Sequence, residues 1–230
     1  MDRLQKAHRD LRFLLERGYP KASSLRFIGD HFQLRQEERD LLYRATFTRA
    51  QCHARRQKRI RLREFSSRRL VIDGHNVLIT LESAIRKRPL VLADDGFIRD
   101  VSRIFRGFRP TDRTRQAWSL VQDLLKDYPP LFTTVILDAP MSRSKELAGR
   151  IRRWMQDGGL AGETLVENKP EGALLCQDGV KATADSVILD KAGEVFDLAG
   201  HIITKRMRLK PIVLLNHRAA RRSFNPGHTK

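Results

Sequence analysis

An aspartate ends the apolar run Leu70-Val71-Ile72, and Gly74, His75 and Asn76 follow it. A buried strand that ends in Asp-Gly, with a polar side chain just beyond, delivers a carboxylate to the edge of a sheet, where open α/β proteins place their sites. A second run, Thr133-Thr134-Val135-Ile136-Leu137, ends in the same way at Asp138 before Ala139 and Pro140. As parallel neighbours, the two strands set Asp73 and Asp138 side by side at one edge. Converging carboxylates repel each other unless a cation lies between them or one holds a proton. Oxygen donors without Cys or His suit a hard ion such as Mg²⁺ or Mn²⁺. The competing expectation is that each Asp only caps the helix or turn after it.

A third acid stands at an element boundary in Val180-Lys181-Ala182-Thr183-Ala184-Asp185. Two readings of this region are open. In one, a strand over 180–184 ends at Asp185, a short helix runs through Asp190 to Ala192, and Val195-Phe196-Asp197-Leu198 is a further strand. In the other, Val187, Ile188, Ala192, Val195, Phe196, Ala199, Ile202 and Ile203 share one face of a long helix capped by Thr183. Gly193 and Gly200 weigh against an unbroken helix and favour the first.

The elements that position these acids follow from periodicity. Residues 1–68 read as helices, with Leu4, Leu11, Phe13, Leu14 and Leu15 at helix-compatible spacing before the Arg17-Gly18-Tyr19-Pro20 break. A second helix starts near Lys21, carries Leu25, Phe27 and Ile28 and stops near Asp30, and a third, with Leu41, Leu42 and Tyr43, starts near Gln36. From about Leu70 strands alternate with helices, the signature of a parallel sheet covered on both faces. Expected helices include one with Phe97, Val101, Ile104 and Phe105, one over 114–128 closed by Pro129 and Pro130, and one over 144–155 closed by Gly158-Gly159. A short strand covers 163–166, and 211–215 forms the last edge. The expected division is a helical region with a basic linker over 1–68, an α/β domain over 69–217 and a basic, mobile tail over 218–230.

The 230 residues carry 45 Lys and Arg against 27 Asp and Glu, a formal charge of +18. Such an excess costs self-repulsion and points to a polyanionic partner, nucleic acid first. The run over 49–63 concentrates it in Arg55, Arg56, Lys58, Arg59 and Arg61, read either as phosphate contacts or as a solvated helix face. Arg68, Arg69, Arg86 and Arg143 are the arginines nearest in sequence to the acids. The two cysteines, Cys52 and Cys176, have no CxxC partner and fit a reducing compartment. The N-terminus lacks a long apolar core and no run approaches a membrane span, so a soluble cytoplasmic protein without a membrane partner is expected.

In order and spacing, residues 71–76, 135–139 and 183–186 resemble the PIN-like nuclease superfamily, including its NYN branch. There a Val-Ile-Asp-Gly-x-Asn strand, a mid-chain strand ending in Asp and a later Thr-x-Asp together hold divalent metal for RNA cleavage. The resemblance covers residues 70–207. It implies a PIN-like parallel-sheet domain of three layers behind a small all-helical N-terminal domain, and a metal-dependent nuclease acting on RNA. It also implies that Asp73, Asp138 and Asp185 ligate Mg²⁺ or Mn²⁺ directly or through water. Asn76 then orients the first acid, contacts a phosphate or merely caps a helix, and Asp190 is a fourth acid if a short helix turns it inward. Arg55, Arg56, Lys58, Arg59, Arg68, Arg69 and Arg143 are the candidate phosphate contacts. His75 is expected as a hydrogen-bonded scaffold residue more than as a general base. The superfamily's further acid, on a helix between the first two, has only Glu82, Asp94, Asp95 and Asp100 as candidates, which keeps a binding protein without turnover as the alternative. The segment Leu14-Leu15-Glu16-Arg17-Gly18-Tyr19-Pro20-Lys21 looks like a small domain that accompanies PIN-like domains in uncharacterised prokaryotic proteins.

Two other classes fit less well. A haloacid-dehalogenase-type phosphotransferase needs a second Asp two residues after its nucleophile, where His75 stands. A dinucleotide-binding enzyme needs a GxGxxG after a strand, and neither that motif nor a P-loop is present.

Overall fold

The computed structural model describes residues 2–101 and 108–214. Five helices open the chain: α1 (Asp2–Glu16), α2 (Lys21–His31), α3 (Gln36–Ala45), α4 (Arg49–Gln57) and α5 (Leu62–Phe65). Gly18, at φ +81°, turns the chain after α1, and Pro20 sets the extended backbone that starts α2. Thr48 begins α4 with a reciprocal cap, its hydroxyl accepting from the Gln51 amide while the Gln51 side chain accepts from the Thr48 amide.

The main sheet holds β1 (Arg69–Asp73), β4 (Phe132–Asp138), β5 (Gly162–Glu167), β6 (Val180–Ala182) and β7 (Val195–Phe196) in the order β5-β4-β1-β6-β7, every pair parallel. A small second sheet, in the order β3-β2-β8, is formed by β2 (Leu90–Leu92), β3 (Ile98–Asp100) and β8 (Ile212–Val213). The connecting helices are α6 (Gly74–Ile85), α7 (Asp112–Asp127), α8 (Ser144–Asp157), α9 (Pro170–Cys176), α10 (Ser186–Lys191) and α11 (Leu198–His201).

The period of two along β1 sends Leu70 and Ile72 to one face and Val71 to the other. On the first face they meet Val77 and Leu78 of α6, Trp118 and Val121 of α7, and Leu147 and Ile151 of α8. Val71 packs instead with Ile136, Leu174 of α9, Ile188 of α10 and Val195. Burial on both faces explains why the β1 and β4 runs are almost wholly apolar. Each buried Leu or Ile contributes roughly 1.5–3 kcal/mol through the hydrophobic effect.

The region over 180–196 follows the first of the two readings, as β6, α10 and β7. The expected helix through Phe97 and Val101 is not formed. Gly96, at φ +88°, closes an antiparallel turn between β2 and β3, and Phe97 is buried where the turn enters β3. A left-handed glycine after Asp94-Asp95 suits a hairpin and would break a helix. Ile104, Phe105 and the tail over 218–230 lie outside the described residues. The N-terminal helices share a core with the small sheet, since Leu11, Ile28, Leu42 and Phe47 pack with Val91, Ala93 and Leu214. Among the described residues no helix is long and apolar enough to cross a membrane.

Candidate metal centre

In a parallel sheet all strands end at the same edge, so β1 and β4, paired with Asp73 opposite Ile136, bring Asp73 and Asp138 to one side. Asp185 follows β6, the neighbour of β1 on its other flank. Three adjacent strands thus carry the three acids, with Asp73 in the middle.

Asp73 ends β1 and caps α6. One carboxylate oxygen accepts from the Asn76 amide at 3.3 Å and the other from Thr183 Oγ1 at 2.8 Å. The helix can begin this close to the sheet because Gly74 has no side chain: a Cβ there would lie 2.6 Å from Leu137 Cδ2 and 3.1 Å from the Ile136 carbonyl oxygen. The Asn76 side chain accepts from the Ala184 amide at 3.0 Å. It latches the loop after β6 to the start of α6, so its amide oxygen is engaged by protein. Asp185 Oδ1 accepts from the Val187 and Ile188 amides at 2.8 and 3.3 Å and starts α10. Capping and clustering therefore coexist at Asp73 and Asp185. Asp138 caps no helix, because Arg143, in a left-handed conformation at φ 60°, precedes α8.

Burial pushes the Asp73 pKa up to about 7, and the carboxylates of Asp185 and Asp138 push in the same direction against the hydrogen bonds from Thr183 and Asn76. Burial also raises Asp138. A cation beside these groups relieves both penalties, and the donor set is all oxygen, as Mg²⁺ and Mn²⁺ prefer. Among the described residues no three His, Cys, Asp or Glu side chains form a ready-made metal cage.

His75 is 2% exposed and stands edge-on to Phe108 with ring centroids 5.5 Å apart. Its Nδ1 accepts from the Asp138 amide at 3.0 Å, and burial lowers its pKa to about 4. A neutral ring with Nδ1 occupied supports the Asp138 backbone.

The candidates for a further acid are used elsewhere. Glu82 is buried, accepts from Thr114 Oγ1 at 2.5 Å and lies 3.4 Å from Arg86. Asp94 bonds His8 and the Phe47 amide. Asp95 sits between Arg55 and Arg99, which hold its carboxyl below the usual range despite burial. Asp100 lies on β3 in the second sheet. Asp190 is turned to Arg55, whose Nε and Nη2 bond its two oxygens at 2.7 and 2.9 Å. The short helix thus directs Asp190, expected among the metal ligands, into an ion pair with Arg55.

Several of the residues expected to contact phosphate bond the protein itself. Arg55 is 1% exposed and bridges Asp95 and Asp190. Arg56 bonds the Asp94 carbonyl. Lys58 Nζ donates to the Leu189 and Asp190 carbonyls at 3.1 and 2.7 Å, at the end of α10. Arg59 donates to the Gly96 carbonyl at 2.8 Å, and its backbone bridges to Val195 at the outer edge of β7. The basic run is a seam between the helices and the α/β domain, because its donors reach carbonyls and carboxylates of the second part. Arg68 and Arg69 flank the opposite end of β1. Four residues at roughly 3.3 Å each separate Arg69 from Asp73 by about 13 Å. Arg68 pairs there with Glu194, and Arg69 lies over Phe132. Arg143 remains on the acidic side, exposed, just beyond Asp138 and 3.8 Å from Glu146.

Residues 62–201 match the family described as Domain of unknown function (DUF5616). The chain belongs to the DUF5616 family. Residues 3–58 match a second description, Protein of unknown function (DUF434). An uncharacterised protein of Methanocaldococcus jannaschii is 33% identical over 186 residues, which is 81% of this chain and 88% of that protein. No solved structure matches the chain.

In this DUF5616 domain two further strands carry acids to the same edge. Glu167 ends β5 opposite Asp138, and Asp197 follows β7. Asp197 is buried and accepts from the Ile98 and Gly200 amides at 3.0 and 2.8 Å, so it serves the packing of the small sheet. Both show the same sequence signal, an acid closing an apolar strand. Thr183 is marked in the sequence only by its place two residues before Asp185; its bond to Asp73, across 110 residues, is not.

Proposed function

We propose that this chain is a PIN-like, divalent-metal-dependent nuclease acting on RNA. The observation that carries the reading is the placement of Asp73, Asp138 and Asp185 at the ends of three adjacent parallel strands, with Asp73 raised to about 7 in their midst. Asp73, Asp138 and Asp185 would hold Mg²⁺ or Mn²⁺. When bound, such an ion lowers the pKa of water and neutralises charge on a phosphodiester. Thr183 and the Asn76 amide orient the Asp73 carboxylate, His75 fixes the Asp138 backbone, and Arg143 supplies positive charge to a flanking phosphate. The net charge of +18 supports a polyanionic substrate.

The test is cleavage of labelled RNA by wild type and Asp73→Asn, with Mg²⁺, Mn²⁺ or chelator, beside a binding assay. The expected result is metal-dependent cleavage, lost in Asp73→Asn with RNA affinity kept. Cleavage that ignores the chelator sinks this reading.

A second reading, a nucleic-acid-binding protein without turnover, is favoured by one observation: Glu82, Asp94, Asp95 and Asp190 are all engaged by protein partners. It predicts tight RNA binding with no cleavage in any ion.

A further inference from the structure

A cavity of about 290 Å³ opens between the N-terminal helices and the loop after β6, where Asp185 and Ser186 line it. Its size lies at the lower end of small-ligand sites. Four cationic side chains line it, Lys21, Arg44, Arg55 and Arg99, against two carboxylates, Asp185 and Asp190. Arg55 and Arg99 are balanced in part by Asp95, which both bond at 2.7 Å, and Arg55 also holds Asp190. Lys21 has no carboxylate within ion-pair distance among the described residues. Its ammonium donates to the Thr46 carbonyl at 2.7 Å and lies 3.9 Å from the centroid of the Phe47 ring. The guanidinium groups of Arg55 and Arg99 face the same ring at 4.2 and 4.9 Å. Three cations surround one buried phenyl ring; Asp95 and Asp190 answer the two arginines, which leaves the Lys21 charge as the one without a carboxylate partner among the described residues. Burial, then Arg99 and Arg55, bring the Lys21 pKa down to about 7, the cost of holding that charge there.

The rim is aromatic. Tyr19 and Tyr43 line the cavity with 57% and 50% of their surface exposed, and the Tyr43 ring centroid is 5.0 Å from Lys21 Nζ. Excess positive charge inside and flat, exposed rings outside match a ligand with a phosphate at one end and a planar base at the other. Aromatic side chains stack bases, and Lys and Arg recognise phosphate.

We propose that this cavity binds a nucleotide, its phosphate against Lys21 and its base against Tyr43 and Tyr19. The N-terminal helices then supply a ligand subsite next to Asp185. The nucleotide is either free or one residue of an RNA strand. That a strand so held reaches the acidic edge rests on the nuclease reading; nucleotide binding does not.

The experiment is calorimetric titration of the full chain, in EDTA, with adenosine 5′-monophosphate, adenosine and a 5′-phosphorylated RNA pentamer. The monophosphate should bind at least about tenfold tighter than adenosine. Lys21→Gln should remove that difference, and Tyr43→Ala should weaken the monophosphate about tenfold. Tyr43 is half exposed, so Tyr43→Ala decides the matter if Lys21→Gln proves unfolded by circular dichroism. A pentamer that binds tighter than the monophosphate assigns the site to a strand, and equal affinity assigns it to a free nucleotide. No saturation by either ligand, or wild-type affinity in both folded variants, overturns the proposal. Because EDTA removes divalent ions, this result stands whether or not RNA is cleaved.

Discussion

Thr183 Oγ1 donates to Asp73 Oδ2 at 2.8 Å and also accepts from the Asp185 amide at 3.0 Å. One hydroxyl ties the acid at the end of β1 to the acid after β6. Thr183→Val keeps the shape of the side chain and removes this link. Losing a partner that orients a metal ligand typically costs roughly 10–100-fold in metal affinity or activity. RNA cleavage at limiting Mg²⁺ should fall within that range, stability should drop by about 1 kcal/mol, and Thr183→Ser should restore most of both. Equal cleavage by the Val and Ser variants would remove Thr183 from the site.

Asp138→Asn should lose cleavage as Asp73→Asn does, and the double variant should lose little more, because groups that act through one centre are not additive. Single-turnover rates of the three variants measure this. Multiplying losses would mean that the two acids act separately.

Asp73 and His75 give opposite pH dependences over nearly the same range. Asp73 keeps its proton to about 7 in the folded chain, whereas an unfolded Asp releases it near 3.9. Its burial therefore costs nothing below that lower value and lowers stability as pH rises to about 7. His75 is protonated only near 4 when folded but near 6.5 when unfolded. Its contribution is complete above the higher value and is lost as pH falls toward 4. Each effect is on the order of a few kcal/mol, so in wild type they largely cancel. Urea unfolding in EDTA at pH 4.5, 5.5, 6.5 and 7.5 should show stability that rises with pH in Asp73→Asn and falls with pH in His75→Asn. Parallel slopes in the two variants would contradict the burial argument.

Arg55 joins α4 to α10 and to the β2–β3 turn through Asp190 and Asp95. Removing one partner of a buried pair costs roughly 3–5 kcal/mol, so Arg55→Met should show a matching loss in denaturant unfolding. Neutralising Arg55, Arg56, Lys58 and Arg59 together should unfold the chain, and a fully folded quadruple variant would refute the seam.

RNA affinity should fall linearly with salt on logarithmic axes as phosphates release counterions. Arg143 is 58% exposed beside the acidic edge. Arg143→Gln should reduce the slope by about one and leave folding unchanged. An unaltered slope would place the RNA elsewhere.

The sequence by itself determined β1, β4 and β5 and the edge at which they end. Apolar runs such as Leu70-Val71-Ile72 can only be buried on both faces of a sheet, and the parallel arrangement then brings Asp73 and Asp138 together, since parallel strands all end on one side. Periodicity and the Gly and Pro breaks also determined α1, α2, α3, α7 and α8. Where a local signal was short, the sequence misled: the helix expected through Phe97 is a hairpin, because a left-handed Gly96 outweighs the spacing of Phe97 and Val101. Charge partners were decided by tertiary structure alone. Arg55 and Asp190 are 135 residues apart in the chain and 2.7 Å apart in space, and Thr183 reaches Asp73 across 110 residues. A run of arginines has the same composition whether it faces solvent, phosphate or a buried carboxylate, and only the packing of α4 against α10 selects among them. The fold decides likewise which acids remain at the edge, because a carboxylate's role depends on the cation or donor that the other elements bring to it.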